Sequence, residues 1–273
     1  MTILVNGEPG TTVEACDRGL QFGDGVFETV RMEADRPVLW GRHWARLCCG
    51  LELLGIPPPP EQTCLEELAR VSIDVASMAK LIVTRGPGPR GYAVPARPRP
   101  TRVVMGGAPV DIPETSHMLR VGVCRTRAAP SPAPGCKHLN RLENVLARQE
   151  WGGDWDEGLM LDAGGHVRCA TQSNVFILEE GVLLTPELAG HGVAGTRRGW
   201  LLEHAGILGI AVRTANLTLE RIGRADAVFL TSARLGLRRA VLLGQESPED
   251  RSLRGTALPD RIRELGERIN ALD

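Results

Sequence analysis

The chain holds two lysines, Lys80 and Lys137, and the second stands where a lysine can act as a nucleophile. It lies in Gly135-Cys136-Lys137-His138-Leu139-Asn140-Arg141-Leu142-Glu143, at the end of a Pro/Gly-rich loop. Asn140 followed three residues later by Glu143 has the form of a capping box, and Leu142, Val145 and Leu146 supply an apolar face behind it. Lys137 is therefore expected just ahead of a helix, where the positive end of the dipole favours the neutral, nucleophilic amine. On spacing alone it reads first as a solvated loop lysine.

Other residues could hold an anion. Arg46 falls off the face formed by Trp44, Leu47 and Leu51, which leaves its guanidinium able to reach a phosphate or serve as a surface charge. Gly195-Thr196-Arg197 precedes a helical pattern through Leu201, Leu202 and Ala205, so their backbone N–H groups could receive an anion or form an ordinary turn. Ser232 ends the apolar strand AVFLTS and reads first as a turn residue. Arg90 and Tyr92, the latter the only tyrosine, flank Gly86, Pro87, Gly88 and Pro89, a stiff loop that could present both to a carboxylate. Asp24 and Glu28, in a Gly-rich hairpin, read as structural. Seven cysteines show neither a CxxC pair nor a Cys/His array at metal spacing, so no metal site is expected and the thiols read as reduced.

The elements that must position these residues alternate in type. ILVNG opens a hairpin; GVFETVRM and PVLW suggest a second, around a turn at 33–36. Trp44, Leu47, Leu51 and Leu54 predict a helix from about Arg42 to Gly55. KLIVTRG and RVVMGGAPV read as strands. Residues 109–117 are expected to link a smaller domain, 1–108, to a larger one, 118–273. The second half carries strands at LRVGVCR, GLMLD, NVFIL, VLLTP and AVFLTS, with helices near 141–150, 197–208 and from about Pro259. Hydrophobic residues are 42% of the chain and charged residues 24%, with a formal net charge of −1, which gives no reason to expect nucleic acid or an anionic membrane as partner. MTILVNGEPG has no signal-peptide pattern and no apolar run approaches the roughly 20 residues a bilayer needs, so a cytoplasmic protein is expected.

KHLNRLENVLAR resembles, nearly residue for residue, the lysine motif of aminodeoxychorismate lyases, a branch of the fold type IV pyridoxal-phosphate enzymes that includes D-amino-acid and branched-chain aminotransferases. Four further segments match in order. These are DRG at 17–19 with FGDGVFET at 22–29, HWARL at 43–47, TRG at 84–86 with RGY at 90–92, and GVAGTRR at 192–198. The resemblance implies an α+β fold with a smaller N-terminal antiparallel-sheet domain and a larger barrel-like domain. It implies pyridoxal 5'-phosphate carried on Lys137, with the phosphate held by Arg46, Gly195, Thr196, Arg197 and Ser232. Arg90 and Tyr92 would recognise a small-molecule substrate, and the chain would be a homodimer.

One position departs from the pattern. Five residues before Asn174, in the segment ending SNVF, relatives carry a glutamate that pairs with the cofactor's protonated ring nitrogen, and here stands Cys169. Without that carboxylate the nitrogen holds its proton less well and the ring is a weaker electron sink. An elimination that ends in an aromatic ring tolerates this better than a transamination. The implied reaction is release of pyruvate from 4-amino-4-deoxychorismate to give 4-aminobenzoate, a folate precursor. The alternatives are a D-amino-acid or amine transaminase of the same fold, and a weakly active or non-catalytic cofactor-binding homologue.

Overall fold

The computed structural model describes residues 1–73, 75–110, 118–188, 190–243 and 258–272. Two compact units emerge: Met1–Asp111 together with Cys136–Arg141, and Ile112–Gly135 together with Leu142–Leu272. Lys137 thus belongs to the first unit. Of the expected linker at 109–117, residues 111–117 lie outside the described residues.

The first unit is built on six antiparallel strands, β1 (Ile3–Val5), β2 (Glu8–Pro9), β3 (Gly25–Glu33), β4 (Arg36–Pro37), β5 (Ser77–Thr84) and β6 (Thr101–Pro109). They lie in the order β2-β1-β6-β5-β3-β4. Asn6 and Gly7 both have positive φ, the backbone a two-residue hairpin turn needs between β1 and β2. Strand periodicity sends Val26, Glu28, Val30 and Met32 of β3 to one buried face. After the short helix α1 (Arg18–Phe22), that face is covered by α2 (Trp40–Leu54), which buries Leu47 and Leu51, and α3 (Glu61–Val71), which buries Leu68 and Val71. Phe27 and Thr29 point to the other face, opposite Ile82 and Lys80. The second hairpin is shorter than PVLW suggested, because Trp40 joins the helical spacing of Trp44 and stacks on it at 5.7 Å.

The second unit contains β7 (Leu119–Val123), α4 (Leu142–Arg148), β8 (Glu157–Leu161), β9 (His166–Ala170), β10 (Asn174–Glu179) and β11 (Val182–Pro186). It continues with α5 (Thr196–His204), β12 (Val212–Ala215), β13 (Leu217–Thr218), α6 (Leu219–Arg224), β14 (Ala227–Ser232), β15 (Gly236–Leu242) and α7 (Asp260–Asn270). Nine strands form one mixed sheet in the order β12-β11-β10-β14-β15-β7-β8-β9-β13. The sheet curls enough to bring β9 against β10 and β11. Val121, Leu159, Val175, Ile177, Leu217, Leu230 and Leu242 fill its core. Ile262, Leu265 and Ile269 of α7 are buried as their spacing predicts.

Two expectations near Lys137 are corrected. The stripe Leu142, Val145 and Leu146 is exposed, at 69%, 51% and 47%, and α4 buries Ala147 instead. The capping box does not form: Asn140 donates to the Gly23 carbonyl at 3.1 Å, and Glu143 accepts from the Ala129 N–H at 2.9 Å. Long-range partners claim both side chains that the local pattern assigned to each other.

Candidate active site

Lys137 is presented by a strand edge. Near its start, β3 pairs with β5 on one side only, and residues 137–139 take the other side as a short antiparallel segment centred on a Val26–His138 bridge. Phe27 N–H donates to the Lys137 carbonyl at 2.9 Å, and Leu139 N–H to the Gly25 carbonyl at 3.0 Å. Lys137 therefore stands opposite Phe27 and shares its face. Its Nζ lies 4.4 Å from the Phe27 ring centroid, and Lys80 Nζ lies 4.6 Å from that same centroid. Burial and the charges of Arg46, Arg141 and Lys80, opposed by Glu28, lower the Lys137 pKa to about 8. Burial also lowers that of Lys80.

A buried ion pair sits behind this amine. Glu28, 1% exposed, accepts from Arg46 Nε at 2.8 Å and Nη2 at 2.5 Å, and lies 2.6 Å from His43 Nδ1. His43 and Arg46 are three residues apart on α2 and so share the face turned to β3. Burial pushes the Glu28 carboxyl up, but Arg46 and His43 outweigh it and hold the group below its usual range. Burial holds His43 low, favouring the neutral ring. Arg46 was expected to be able to leave the core; it is half-buried instead, with its guanidinium plane fixed by a carboxylate. Asp24 plays a similar part, binding Arg18 at 2.8 Å and Arg85 at 2.7 Å. Arg18 in turn donates to the carbonyls of Gly91, Tyr92 and Ala93, which fixes the loop bearing Arg90 and Tyr92. Both loop residues face solvent, Tyr92 at 85% exposure.

The second unit carries the remaining candidates. Gly195 is the N-cap of α5, with no side-chain cap on the first turn. Asn174 Nδ2 donates to the Val193 carbonyl at 2.9 Å, and its Oδ1 lies 2.0 Å from where a Cβ on Gly195 would stand. A side chain there would have to displace the Asn174 amide. Thr196 is buried, and the Arg197 guanidinium turns into the core to donate to the Ile269 carbonyl, so Arg197 could serve an anion only through its backbone. Ser232 Oγ accepts from Leu235 N–H at 3.2 Å, a local turn bond. Cys169 is buried among Met160, Cys124, Ala147 and Trp151, and its Sγ would be 3.5 Å from a Cβ on Gly192.

Sequence reasoning missed three contributors. Glu157, 4% exposed, accepts from the backbone of Thr171 and Gln172 and from the hydroxyls of Thr171 and Ser173, so it fixes the turn between Cys169 and Asn174. No local pattern announces it. His43 could have been found from its i, i+3 relation to Arg46. Arg141 donates to the carbonyls of His138 at 2.9 Å and Cys136 at 3.1 Å. Among the described residues no His, Cys, Asp and Glu cluster could hold a metal ion, and no helix is long and apolar enough to cross a membrane.

Comparison with known proteins bears on this geometry. The aminodeoxychorismate lyase of Vibrio harveyi is 32% identical to the chain over 90% of it and 92% of the relative. The D-alanine aminotransferase of Listeria monocytogenes is 30% identical, over 85% and 84%. The crystal structure of 4-amino-4-deoxychorismate lyase from Pseudomonas aeruginosa superposes with a TM-score of 0.84 at 38% identity, covering 96% of this chain and 98% of that one. The Escherichia coli branched-chain amino acid aminotransferase shares the fold, with a TM-score of 0.80 at 23% identity, covering 99% of this chain and 94% of that one. The family model for amino-transferase class IV matches residues 25–242, from the start of β3 to the end of β15, and the chain belongs to that family.

Proposed function

We propose that the protein is a pyridoxal-phosphate-dependent lyase that converts 4-amino-4-deoxychorismate to 4-aminobenzoate and pyruvate. The observation that carries this reading is Lys137, an amine on the edge of β3 whose pKa falls to about 8 through burial and neighbouring cations. Two features support the fit to pyridoxal phosphate. One is this lysine; the other is the nine-residue helix α5, which begins at Gly195 with no capping side chain on the N-cap residue, the kind of helix end that receives an anion. Lys137 would carry the cofactor, and Gly195, Thr196 and Arg197 would meet its phosphate through backbone N–H groups, with Arg46 and Ser232 as side-chain partners. Cys169 would face the ring nitrogen. Bound pyridoxal phosphate supplies an aldehyde for amines and a conjugated ring that accepts electron density.

The residues then divide the work. Lys137 would take the proton from the amine-bearing ring carbon of the substrate. The neighbouring carbon–oxygen bond breaks, enolpyruvate departs and the ring becomes aromatic. Lys137 returns a proton to the methylene carbon of the enolpyruvate, giving pyruvate. Arg90 and Tyr92 meet substrate carboxylate. The lyase reading is favoured over a transaminase by the KHLNRLE and RGY wording, by Cys169, and by the identity to the Vibrio harveyi and Pseudomonas aeruginosa lyases. A cytoplasmic homodimer completes the reading by analogy. The exposed 90–92 segment and the apolar stripe on α4 are surfaces a second copy would cover. The two-domain division at 109–117 rests on the prolines and polar residues of that segment.

Borohydride reduction of the protein loaded with pyridoxal phosphate, followed by peptide mapping, tests the assignment. The pyridoxyl mass is expected on Lys137; its appearance on Lys80 would overturn the reading of the site.

A further inference from the structure

The segment 137–139 has a structural problem that Arg141 solves. Its inward groups pair with β3, where Phe27 N–H meets the Lys137 carbonyl and Leu139 N–H meets the Gly25 carbonyl. Backbone alternation turns the Cys136 and His138 carbonyls to the opposite edge. A two-bond strand attachment is weak by itself, and its outer carbonyls need donors. Arg141 supplies them from within the same segment. Its Nε donates to His138 O at 2.9 Å and its Nη2 to Cys136 O at 3.1 Å. These two carbonyls flank Lys137 on either side, and the planar guanidinium bridges them as a neighbouring strand would.

We infer that Arg141 is a positioning residue for Lys137: its guanidinium clamps the outer edge of the lysine-bearing strand and so sets where the amine stands against Phe27. The role is built on the lysine assignment proposed above but does not need cofactor to operate. The carbonyl bonds depend on the shape of the fork, because an ammonium on a lysine stem has no rigid pair of donors to span residues 136 and 138. The positive charge has a separate effect, since it opposes protonation of the nearby Lys137 amine, alongside burial and Arg46. Shape and charge can therefore be taken apart by substitution.

The test uses the full-length apoprotein with Arg141→Met, which removes both, and Arg141→Lys, which keeps the charge. Amide hydrogen exchange is followed at Phe27 and Leu139, with Leu81 and Val104 of the central strands as internal references. Loss of one to two charge-assisted bonds should speed exchange at Phe27 and Leu139 by about 10- to 100-fold in both variants, with the reference amides unchanged. In parallel, reductive methylation of Lys137 by formaldehyde and cyanoborohydride is measured against pH by mass spectrometry. Arg141→Met should move the Lys137 profile to higher pH, and Arg141→Lys should leave it in place. Exchange at Phe27 and Leu139 that stays at the wild-type rate, or that rises only in step with Leu81 and Val104, overturns the clamp. If Arg141→Met does not fold, exchange in Arg141→Lys decides alone, since the fork is already lost there. Failure of pyridoxal phosphate to attach to Lys137 would sink the proposed function and leave these two readouts intact.

Discussion

Arg46→Ala should do more than weaken phosphate binding, because it strips a buried carboxylate. Glu28 is 1% exposed and its described side-chain partners are Arg46 and His43. Removing the guanidinium leaves that carboxylate with His43 alone, a ring that burial keeps neutral. Breaking one side of a buried pair costs about 3–5 kcal/mol. At about 2–4 °C of Tm per kcal/mol for a chain of this general size, the melting point should fall by roughly 6–20 °C. Glu28→Gln leaves Arg46 without its anion and should cost a comparable amount. The double variant Arg46→Ala/Glu28→Gln buries no lone charge, so its loss should fall short of the sum by at least about 2 kcal/mol. The assay is urea and thermal unfolding of the four apoproteins, which keeps cofactor linkage out of the comparison. The pH adds a sign. Glu28 is held below the usual carboxylate range, so the pair stabilises above the unfolded value and its contribution is lost as pH falls through the folded one. Wild type should therefore lose its advantage over Glu28→Gln in acid. Single variants that each cost under about 1 kcal/mol and simply add would show that Arg46 is an ordinary surface arginine.

Cofactor capture by Lys137 should be half-maximal near pH 8, where its amine becomes neutral, not near the ordinary lysine value of 10.5. At pH 7 that difference makes the neutral fraction about 300-fold larger, and a capture rate still climbing steeply through pH 10 would contradict the geometry. Gly195→Ala places a Cβ 2.0 Å from Asn174 Oδ1, so it should cost about 1–3 kcal/mol of stability and weaken cofactor binding; an unchanged dissociation constant by titration would remove the turn from the phosphate site. Cys169→Glu should raise any transaminase side activity more than lyase activity, at some loss of stability because the thiol lies against Met160 and the Gly192 backbone. Identical rates and an identical cofactor spectrum in both proteins would mean that Cys169 does not face the ring nitrogen, or that another group already pairs with the proton there.

Much of the fold was legible because its signals are periodic. The α2 helix follows from Trp44, Leu47 and Leu51 and stops at Gly55, whose φ is positive as a helix terminus of this kind needs. The strands β5, β8, β10, β11 and β14 are short apolar runs between breakers. What misled is equally physical. Leu142, Val145 and Leu146 have the spacing of an inner helix face, but spacing shows only that a stripe exists, not whether this chain covers it. Asn140 and Glu143 match a cap in sequence, and contacts with Gly23 and Ala129 won them instead. Arg46 reads as lying off the apolar face of its helix, yet it turns to β3, where its partner is a strand residue eighteen positions away that no local rule connects to it. Lys137 was found by motif; its seat on β3 came from pairing across more than a hundred residues, which a one-dimensional reading does not supply.

Purified protein saturated with pyridoxal phosphate, given 4-amino-4-deoxychorismate, should release pyruvate and 4-aminobenzoate in equal amounts, and Lys137→Ala should abolish the release. If neither product forms while D-alanine and 2-oxoglutarate turn over efficiently under the same conditions, the protein is a transaminase and the account of its chemistry is wrong.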